Sequence, residues 1–282
     1  MRIALVQFTP QFPGHDHNWA RMREWAETLD AEVIVFPELA SSGYSYRDAE
    51  AFRPYTDTRD ILDPLEHLAR SRDRLFVGGF AERDGDRIYN SVFAISPSGT
   101  HVYRKMHLWA NEKLLFQSGD RPRQVEFRGH RFGIEVCYDL QFPELAAYYS
   151  RAGAEAILVP TAWGVEDVGP NGGLRSYTHL AIAVAYSHGI YAAVVNRTGT
   201  EAESEFPGQS SLVDPYGRVQ YLGAAEEVLR GELDFSLVAK AKRPSDLNDL
   251  DRDARLSIHF PESDREPSNA MAGPVRASRY VA

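Results

Sequence analysis

Apolar positions along the chain fall into two patterns, short continuous runs and longer stretches with helical spacing. Continuous runs bounded by polar residues are typical of strands in a sheet that is covered on both faces. They predict strands over 2–8, 32–38, 75–79 and 90–95, a strand ending at 137, and strands over 156–160 and 190–195. Helical spacing predicts helices from about residue 16, near 60–71, over about 143–151 and near 172–188. The apolar face of the first helix is formed by Trp19, Met22, Ala26 and Leu29.

Two turns complete this pattern and divide the chain into similar halves. The segments 96–99 and 214–217 each place Pro second and Gly fourth, as a type I turn prefers, and each closes a predicted hairpin. Strands that alternate with helices and then form hairpins indicate a layered α/β domain. No linker rich in Pro, Gly or Ser separates the halves, so we interpret residues 1–240 as one domain.

The composition changes near residue 240, where charged residues crowd together and prolines follow. We expect residues 241–282 to form a C-terminal extension or arm that packs at a subunit interface. A solvated tail is the alternative interpretation.

Composition and charge exclude several classes of protein. At 282 residues, 43% of them hydrophobic, the chain can build a sizeable core. Its net charge of -9 argues against nucleic-acid binding, which needs a basic face. No apolar run reaches the roughly 20 residues of a membrane helix. The N-terminus does not read as a signal peptide, and with one cysteine in the chain we expect a cytoplasmic protein.

Three segments place a reactive group just beyond an apolar strand: Glu38, Lys105 and Cys137. Active sites of layered α/β folds assemble at the ends of strands. A thiol can act as a nucleophile, a carboxylate can take its proton, and an ammonium can hold an oxyanion. Taken singly, each residue has a plainer interpretation: an inert buried thiol, a helix cap and an exposed charge.

Blocks of sequence surround these positions: Phe-Pro-Glu at 36–38, Tyr-Arg-Lys-Met-His-Leu at 103–108 and Cys-Tyr-Asp-Leu-Gln-Phe-Pro-Glu at 137–144. In order and spacing they resemble the signature blocks of the nitrilase superfamily of carbon–nitrogen hydrolases. Further matches lie at 112–120, 195–197 and 206–217, so the resemblance covers residues 1–240.

The resemblance implies a four-layer αββα sandwich and a Glu–Lys–Cys triad. It implies that Glu38 is the general base, Cys137 the nucleophile and Lys105 the stabiliser of the oxyanion. The backbone N–H of Tyr138 would complete the oxyanion hole. The implied reaction is acyl transfer through a thioester, with ammonia leaving first and water releasing the acid.

The resemblance also implies supporting roles and partners. Glu112 matches a second glutamate that holds the substrate and Lys105 in position, although a surface charge paired with Lys113 remains an alternative. His107 is expected to orient the loop after Lys105. No metal or cofactor is implied, and the histidines show no metal-ligand spacing. A homodimer or higher homo-oligomer is expected, and the helix that follows Cys137 and the helix near 172–188 are the candidates for its interface.

Residues beside the motifs favour one branch of the superfamily. Tyr138 and Asp139 follow the cysteine where nitrilases usually carry Trp-Glu, which favours amides over nitriles. Gln141 stands where many members that act on carboxylate-bearing amides have Arg, the natural carboxylate clamp. We therefore expect a small, neutral aliphatic amide as substrate, in a pocket with apolar walls. The candidate wall residues are Tyr44, Trp109, Tyr138 and Trp163.

Other functions stay open at this point. An N-carbamoyl amide is a close second substrate class, in which Arg175 could hold a carboxylate, and a nitrile is a third. Transfer of the acyl group to an acceptor other than water is possible on the same residues. A redox thiol protein would not need Glu38 and Lys105, and a silent binding protein would not need the intact triad.

Overall fold

The computed structural model describes residues 1–44, 52–165, 176–201 and 204–242. The first half contains β1 (Arg2–Gln7), α1 (His15–Thr28), β2 (Val33–Val35), α2 (Asp63–Arg72), β3 (Leu75–Asp84), β4 (Arg87–Ser96) and β5 (Gly99–Arg104). The second half begins with β6 (Gln124–Phe127), β7 (His130–Ile134), α3 (Pro143–Arg151), β8 (Ala156–Thr161), α4 (Ser176–His188) and β9 (Tyr191–Asn196). It ends with β10 (Thr198–Glu201), β11 (Ser204–Pro207), β12 (Ser211–Val213), β13 (Val219–Tyr221), β14 (Glu227–Glu232) and α5 (Phe235–Ala241). Short 3-10 helices span Arg53–Tyr55, Arg59–Leu62, Ala110–Leu114 and Cys137–Gln141.

Two six-stranded sheets carry the fold. The first has the order β14-β1-β2-β3-β4-β5, and the second has the order β13-β12-β9-β8-β7-β6. The central pairs β1–β2, β2–β3, β7–β8 and β8–β9 are parallel, and hairpins flank them. The central strands therefore end at a common edge in each sheet, where loops of different segments meet.

Alternation along β1 shows how the layers stack. Ile3 and Leu5 belong to a core cluster that also contains Ile134 and Leu158 of the second sheet. Ala4 and Val6 face the other way, into a cluster with the buried side of α1 and α2. Because successive side chains of a strand point to opposite faces, the first sheet has a helix layer on one side and the second sheet on the other. With α3 and α4 packed on the second sheet, this is the αββα sandwich that the resemblance implies.

Most predicted elements are confirmed, with changes at their ends. The predicted strand over 32–38 is hydrogen-bonded as a strand only over Val33–Val35. The strand expected to end at residue 137 ends at Ile134. The helix predicted near 60–71 begins at Asp63, after a 3-10 turn, with a proline in its first turn. Leu29 lies just past the end of α1 rather than on its face.

The ends of the described chain limit two predictions. The helix predicted near 172–188 is described from Ser176 onwards. The arm predicted over 241–282 lies outside the described residues beyond Lys242, so its packing stays a prediction. No helix in the described ranges is long and apolar enough to cross a membrane.

Candidate active site

Two strands of the first sheet carry Glu38 and Lys105 at their ends. After β2 the backbone continues extended, and the Phe36 N–H donates to Val77 O at 2.8 Å. Gly79 of β3 lies against this segment so closely that a Cβ there would be 2.6 Å from Glu38 Cα. Lys105 directly follows β5, and its N–H donates to Asn90 O of β4 at 2.8 Å. Backbone pairing to neighbouring strands thus fixes both residues.

Cys137 sits on a sharp turn beyond β7. It is the first residue of a 3-10 helix and has a φ of 48°. Residues other than glycine rarely adopt this left-handed backbone conformation. Such strain is found where surrounding contacts hold a functional residue in place. Cys137 therefore lies on the turn between β7 and the helix that follows, rather than in the strand itself. The thiol side chain is buried, with 7% of the residue exposed.

Lys105 joins the two glutamates in the interior. Its Nζ donates to Glu38 Oε1 at 2.7 Å and to Glu112 Oε1 at 2.8 Å. All three residues are 0% exposed. The alternative of Glu112 as a surface charge paired with Lys113 is therefore wrong, because its carboxylate points inwards to Lys105.

The protonation of this cluster follows from burial and charge. Burial opposes the ammonium of Lys105, but the carboxylates of Glu112 and Glu38 outweigh it and raise the Lys105 pKa well above its ordinary value. Lys105 is therefore a permanent cation at neutral pH. Burial raises the pKa of Glu112, and the ammonium of Lys105 opposes that effect.

The Cys137 thiol lies in the field of the same cluster. Burial raises its pKa well above the ordinary value, the charge of Glu38 raises it further, and Lys105 lowers it. The resting sulfur is thus a neutral thiol that needs a base to become a nucleophile. The backbone N–H of Ala162, beyond β8, lies near enough to the sulfur to lower the pKa of the thiol. The same N–H donates to Glu38 Oε2 at 2.8 Å, so Glu38 and Cys137 both lie next to the backbone of Ala162.

Asp139 holds the turn that carries the cysteine. Its Oδ2 accepts the Val136 N–H at 3.0 Å and the Tyr103 hydroxyl at 2.8 Å. Its Oδ1 accepts the N–H of His107 at 3.0 Å and His107 Nδ1 at 2.7 Å. The His107 ring also stacks on Phe142 at 3.6 Å. His107 therefore ties the loop after Lys105 to the cysteine turn, which agrees with its predicted orienting role.

The four predicted wall residues occupy different environments. The Tyr44 hydroxyl donates to Glu112 Oε1 at 2.8 Å, and the backbone N–H of Trp109 donates to Glu112 Oε2 at 2.7 Å. The Trp109 ring is 40% exposed and packs edge-on against Tyr138 at 4.8 Å. Trp163 is 5% exposed, and its ring packs against Tyr177 of α4. Its backbone N–H donates to Asn196 Oδ1 at 2.9 Å. Their contact with a substrate stays a prediction.

A second buried ion pair supports Tyr44 from the other half of the chain. Arg197 Nη1 donates to Glu201 Oε2 at 2.5 Å, and the guanidinium lies over the Phe206 ring at 4.2 Å. Glu201 Oε1 accepts the Tyr44 N–H at 2.6 Å. The hairpin of β10 and β11 therefore fixes the loop that brings Tyr44 to Glu112.

Two buried residues of this region carry no role in the sequence analysis. Asn90 donates through Nδ2 to Glu38 Oε1 at 2.7 Å and to Glu112 Oε1 at 3.2 Å. Its sequence signal is a single amide in a mostly apolar strand. Glu135, two residues before Cys137, is 0% exposed, and neither carboxyl oxygen has a hydrogen-bond partner in the described structure. The sequence signal of Glu135 is its charge within the apolar run before the cysteine.

Metal ligation finds no support in the described part of the chain. No group of three or more His, Cys, Asp and Glu side chains there is arranged to hold an ion.

Comparison with known proteins identifies relatives over nearly the whole chain. A sequence model of the family described as Carbon-nitrogen hydrolase matches residues 2–243. An (R)-stereoselective amidase from a Pseudomonas species is 34% identical over 253 residues, covering 87% of this chain and 89% of the relative. A nitrilase from Pyrococcus abyssi is 31% identical over 274 residues, covering 92% of this chain and 99% of the relative. A solved Saccharomyces cerevisiae structure, a member of branch 10 of the nitrilase superfamily, is 27% identical with a TM-score of 0.77, covering 89% of this chain and 96% of that one.

Glu135 predicts an unusual dependence of stability on pH. Burial raises the pKa of Glu135 well above its ordinary value, and the charge of Asp139 adds to the effect. The folded protein thus holds this proton more tightly than the unfolded chain. The stabilisation is complete below about pH 4.3, where an unfolded glutamate titrates, and is lost as pH rises. Relative to wild type, Glu135→Gln should gain up to about 1.4 kcal/mol of unfolding free energy per pH unit above that point. Urea unfolding at pH 5, 6 and 7 measures this gain.

Glu82 provides the matched control, because it is also a buried glutamate but is fully paired. Burial alone would raise its pKa, but hydrogen bonds from Arg104, Ser91 and Arg59 outweigh it and lower the pKa. Its stabilising contribution is present above about pH 4.3 and lost as pH falls. Glu82→Gln should therefore be less stable than wild type at pH 7. A pH-independent effect of Glu135→Gln would contradict a buried neutral acid at that position.

Proposed function

The chain belongs to the carbon–nitrogen hydrolase family and is a hydrolase of carbon–nitrogen bonds other than peptide bonds, and we propose that it hydrolyses small, neutral aliphatic amides. The products are a carboxylic acid and ammonia, and the intermediate is a thioester on Cys137. The observation that carries this proposal is the convergence of the Lys105 ammonium, two buried carboxylates and the thiol. The amidase name of the Pseudomonas relative supports it.

The first half of the reaction forms the thioester. Glu38 takes the thiol proton as the sulfur of Cys137 attacks the amide carbon, because the buried thiol does not ionise by itself. An ammonium has three N–H donors, and Lys105 uses two of them on Glu38 and Glu112. The third donor, with the backbone N–H of Tyr138, stabilises the tetrahedral oxyanion. The C–N bond then breaks, and Glu38 returns the proton to the departing ammonia.

The second half releases the acid. Glu38, again a carboxylate, takes a proton from a water molecule that attacks the thioester carbon. The C–S bond breaks, the carboxylic acid forms, and the proton returns to the sulfur of Cys137. Glu112 keeps Lys105 in place throughout, because its carboxylate oxygen and that of Glu38 accept from the same ammonium. The amide, one water molecule and these side chains balance both steps.

The choice of a neutral acyl group follows from charge. The buried cations in the described ranges are Lys105 and Arg197, and each is already paired with carboxylate groups. A carboxylate on the substrate would therefore meet the negative charges of Glu38 and Glu112 without a partner of its own. Gln141 is exposed, and Arg175 lies outside the described residues. The wall residues Tyr44, Trp109, Tyr138 and Trp163 are proposed to border the acyl group.

Other features of the proposal come from the sequence. The reaction is placed in the cytoplasm, and the protein is proposed to act as a homodimer or higher homo-oligomer. An N-carbamoyl amide hydrolase, which releases ammonia and carbon dioxide, is the second candidate, and a nitrilase is the third. The nitrilase name of the Pyrococcus abyssi relative keeps nitriles among the substrates to be tested.

Ammonia release from a substrate panel tests the proposed function. The panel contains butanamide, the monoamide of succinic acid, an N-carbamoyl amino acid and butyronitrile. Butanamide should be the best substrate. It should exceed the succinic monoamide, which adds one carboxylate, at least about tenfold in kcat/KM because like charges repel in a buried site. Cys137→Ala should release no ammonia. Turnover by that variant, or no ammonia from any panel member with wild type, would refute the proposal.

Lys105→Met tests the oxyanion role separately from folding. Loss of the ammonium leaves two buried carboxylates unpaired, so this variant should be less stable by about 3–5 kcal/mol. The double variant Lys105→Met/Glu112→Gln removes one charge of each sign and should recover part of that stability. Both should lose about 100- to 1000-fold in kcat, since an oxyanion donor is missing. Chemical denaturation and ammonia assays on the same preparations measure the two effects.

Lys113→Met is the matched control, because Lys113 is an exposed lysine next to Glu112. It should keep wild-type stability and turnover. Restoration of activity in the double variant would exclude Lys105 as an oxyanion donor.

A further inference from the structure

Asn90 contacts both carboxylates that accept from Lys105. Its amide group donates to Glu38 Oε1 at 2.7 Å and to Glu112 Oε1 at 3.2 Å, the same two oxygens that accept from Lys105. Two acceptors and two donors therefore form a closed ring. Asn90 is 0% exposed, so its amide group lies away from bulk solvent.

The orientation of the Asn90 amide is determined by its neighbours. With Nδ2 towards the carboxylates, each hydrogen of the –NH₂ group meets one acceptor. The opposite orientation would place Oδ1 against two carboxylate oxygens. In the described structure Oδ1 has no hydrogen-bond partner, so the side chain forgoes one acceptor bond to keep both donors on the glutamates.

The residue type also fits the charge of the ring. A second cation in place of Asn90 would neutralise the remaining negative charge and weaken the base. A third carboxylate would repel the first two. A serine hydroxyl has one hydrogen and cannot donate to both glutamates at once. An amide supplies two donors without adding charge.

We propose that Asn90 is a positioning residue that fixes Glu38 so that its Oε2 is the oxygen that exchanges the proton with Cys137. Asn90 and Lys105 donate to Oε1, whereas the donor to Oε2 among the described residues is the Ala162 N–H, which lies near the Cys137 sulfur. One lone-pair direction of Oε2 is left for the proton of the thiol. The inference rests on the proposed base role of Glu38.

Asn90→Leu and Asn90→Asp test the proposal, since both keep the approximate size of the side chain and remove the –NH₂ donors. The first readout is the pH profile of Cys137 alkylation by iodoacetamide, which reads the only thiol of the chain and needs no amide substrate. A carboxylate that loses a donor holds its proton more strongly. The acid limb of the profile should therefore move to higher pH in Asn90→Leu, and further in Asn90→Asp, where a third carboxyl joins the ring.

The second readout is ammonia release from butanamide. Both variants should lose about 10- to 100-fold in kcat, the size expected for a hydrogen bond to a charged group, with little change in KM. Ser91→Ala is the matched control, because Ser91 is the next residue of β4 and donates to a different buried carboxylate, Glu82. It should leave the alkylation profile and kcat unchanged.

The outcomes separate the two proposals. A wild-type alkylation profile in both Asn90 variants, with reduced thermal stability only, would overturn the positioning role and give Asn90 a structural one. If Asn90→Leu does not fold, the profile of Asn90→Asp decides in the same way. If the alkylation profiles of the variants move to higher pH as expected, but wild type releases no ammonia from any amide, the positioning role is supported and the proposed substrate is refuted.

Discussion

The ammonium of Lys105 is the interaction on which the site depends. It is wholly buried and is shared by Glu38 and Glu112, which come from separate segments of the chain. Each of these charges would be very costly in the interior alone, and together they satisfy one another. The ammonium thereby fixes the loop after β2 relative to the 3-10 helix after β5. It also leaves one donor for the substrate, so structure and proposed chemistry use the same group.

Asp139 has the corresponding role for the cysteine turn. Four hydrogen bonds join it to the backbone before Cys137, to Tyr103 at the end of β5 and to His107. Cys137, which follows a strand of the second sheet, is thus tied to the strand of the first sheet that precedes Lys105. Because all four bonds meet at one buried carboxylate, a small displacement of either sheet would break several of them at once. The αββα arrangement is what allows two strand edges to meet in this way.

The sequence predicts the fold well where burial decides the pattern. The runs around Ile34, Leu158 and Val194 are apolar on both faces and form the central strands. The sequence analysis does not predict strand β14, because β14 lies at the edge of its sheet in the described part of the chain and buries one residue, Leu229. The site residues Glu38, Lys105, Cys137 and Glu112 were identified through motifs. Asn90 and Glu135 were not, since their environments arise from contacts between distant segments that no local spacing encodes.

Acyl transfer through Cys137 is most directly tested with an activated ester, 4-nitrophenyl butanoate. Its good leaving group makes acylation fast, so the thioester should accumulate before water removes it. Acid quenching within the first turnover, followed by peptide mass spectrometry, should find a butanoyl group on the peptide that contains Cys137. Release of nitrophenol in the first turnover with no acyl group on that peptide, or with the group on another residue, would contradict the proposed chemistry.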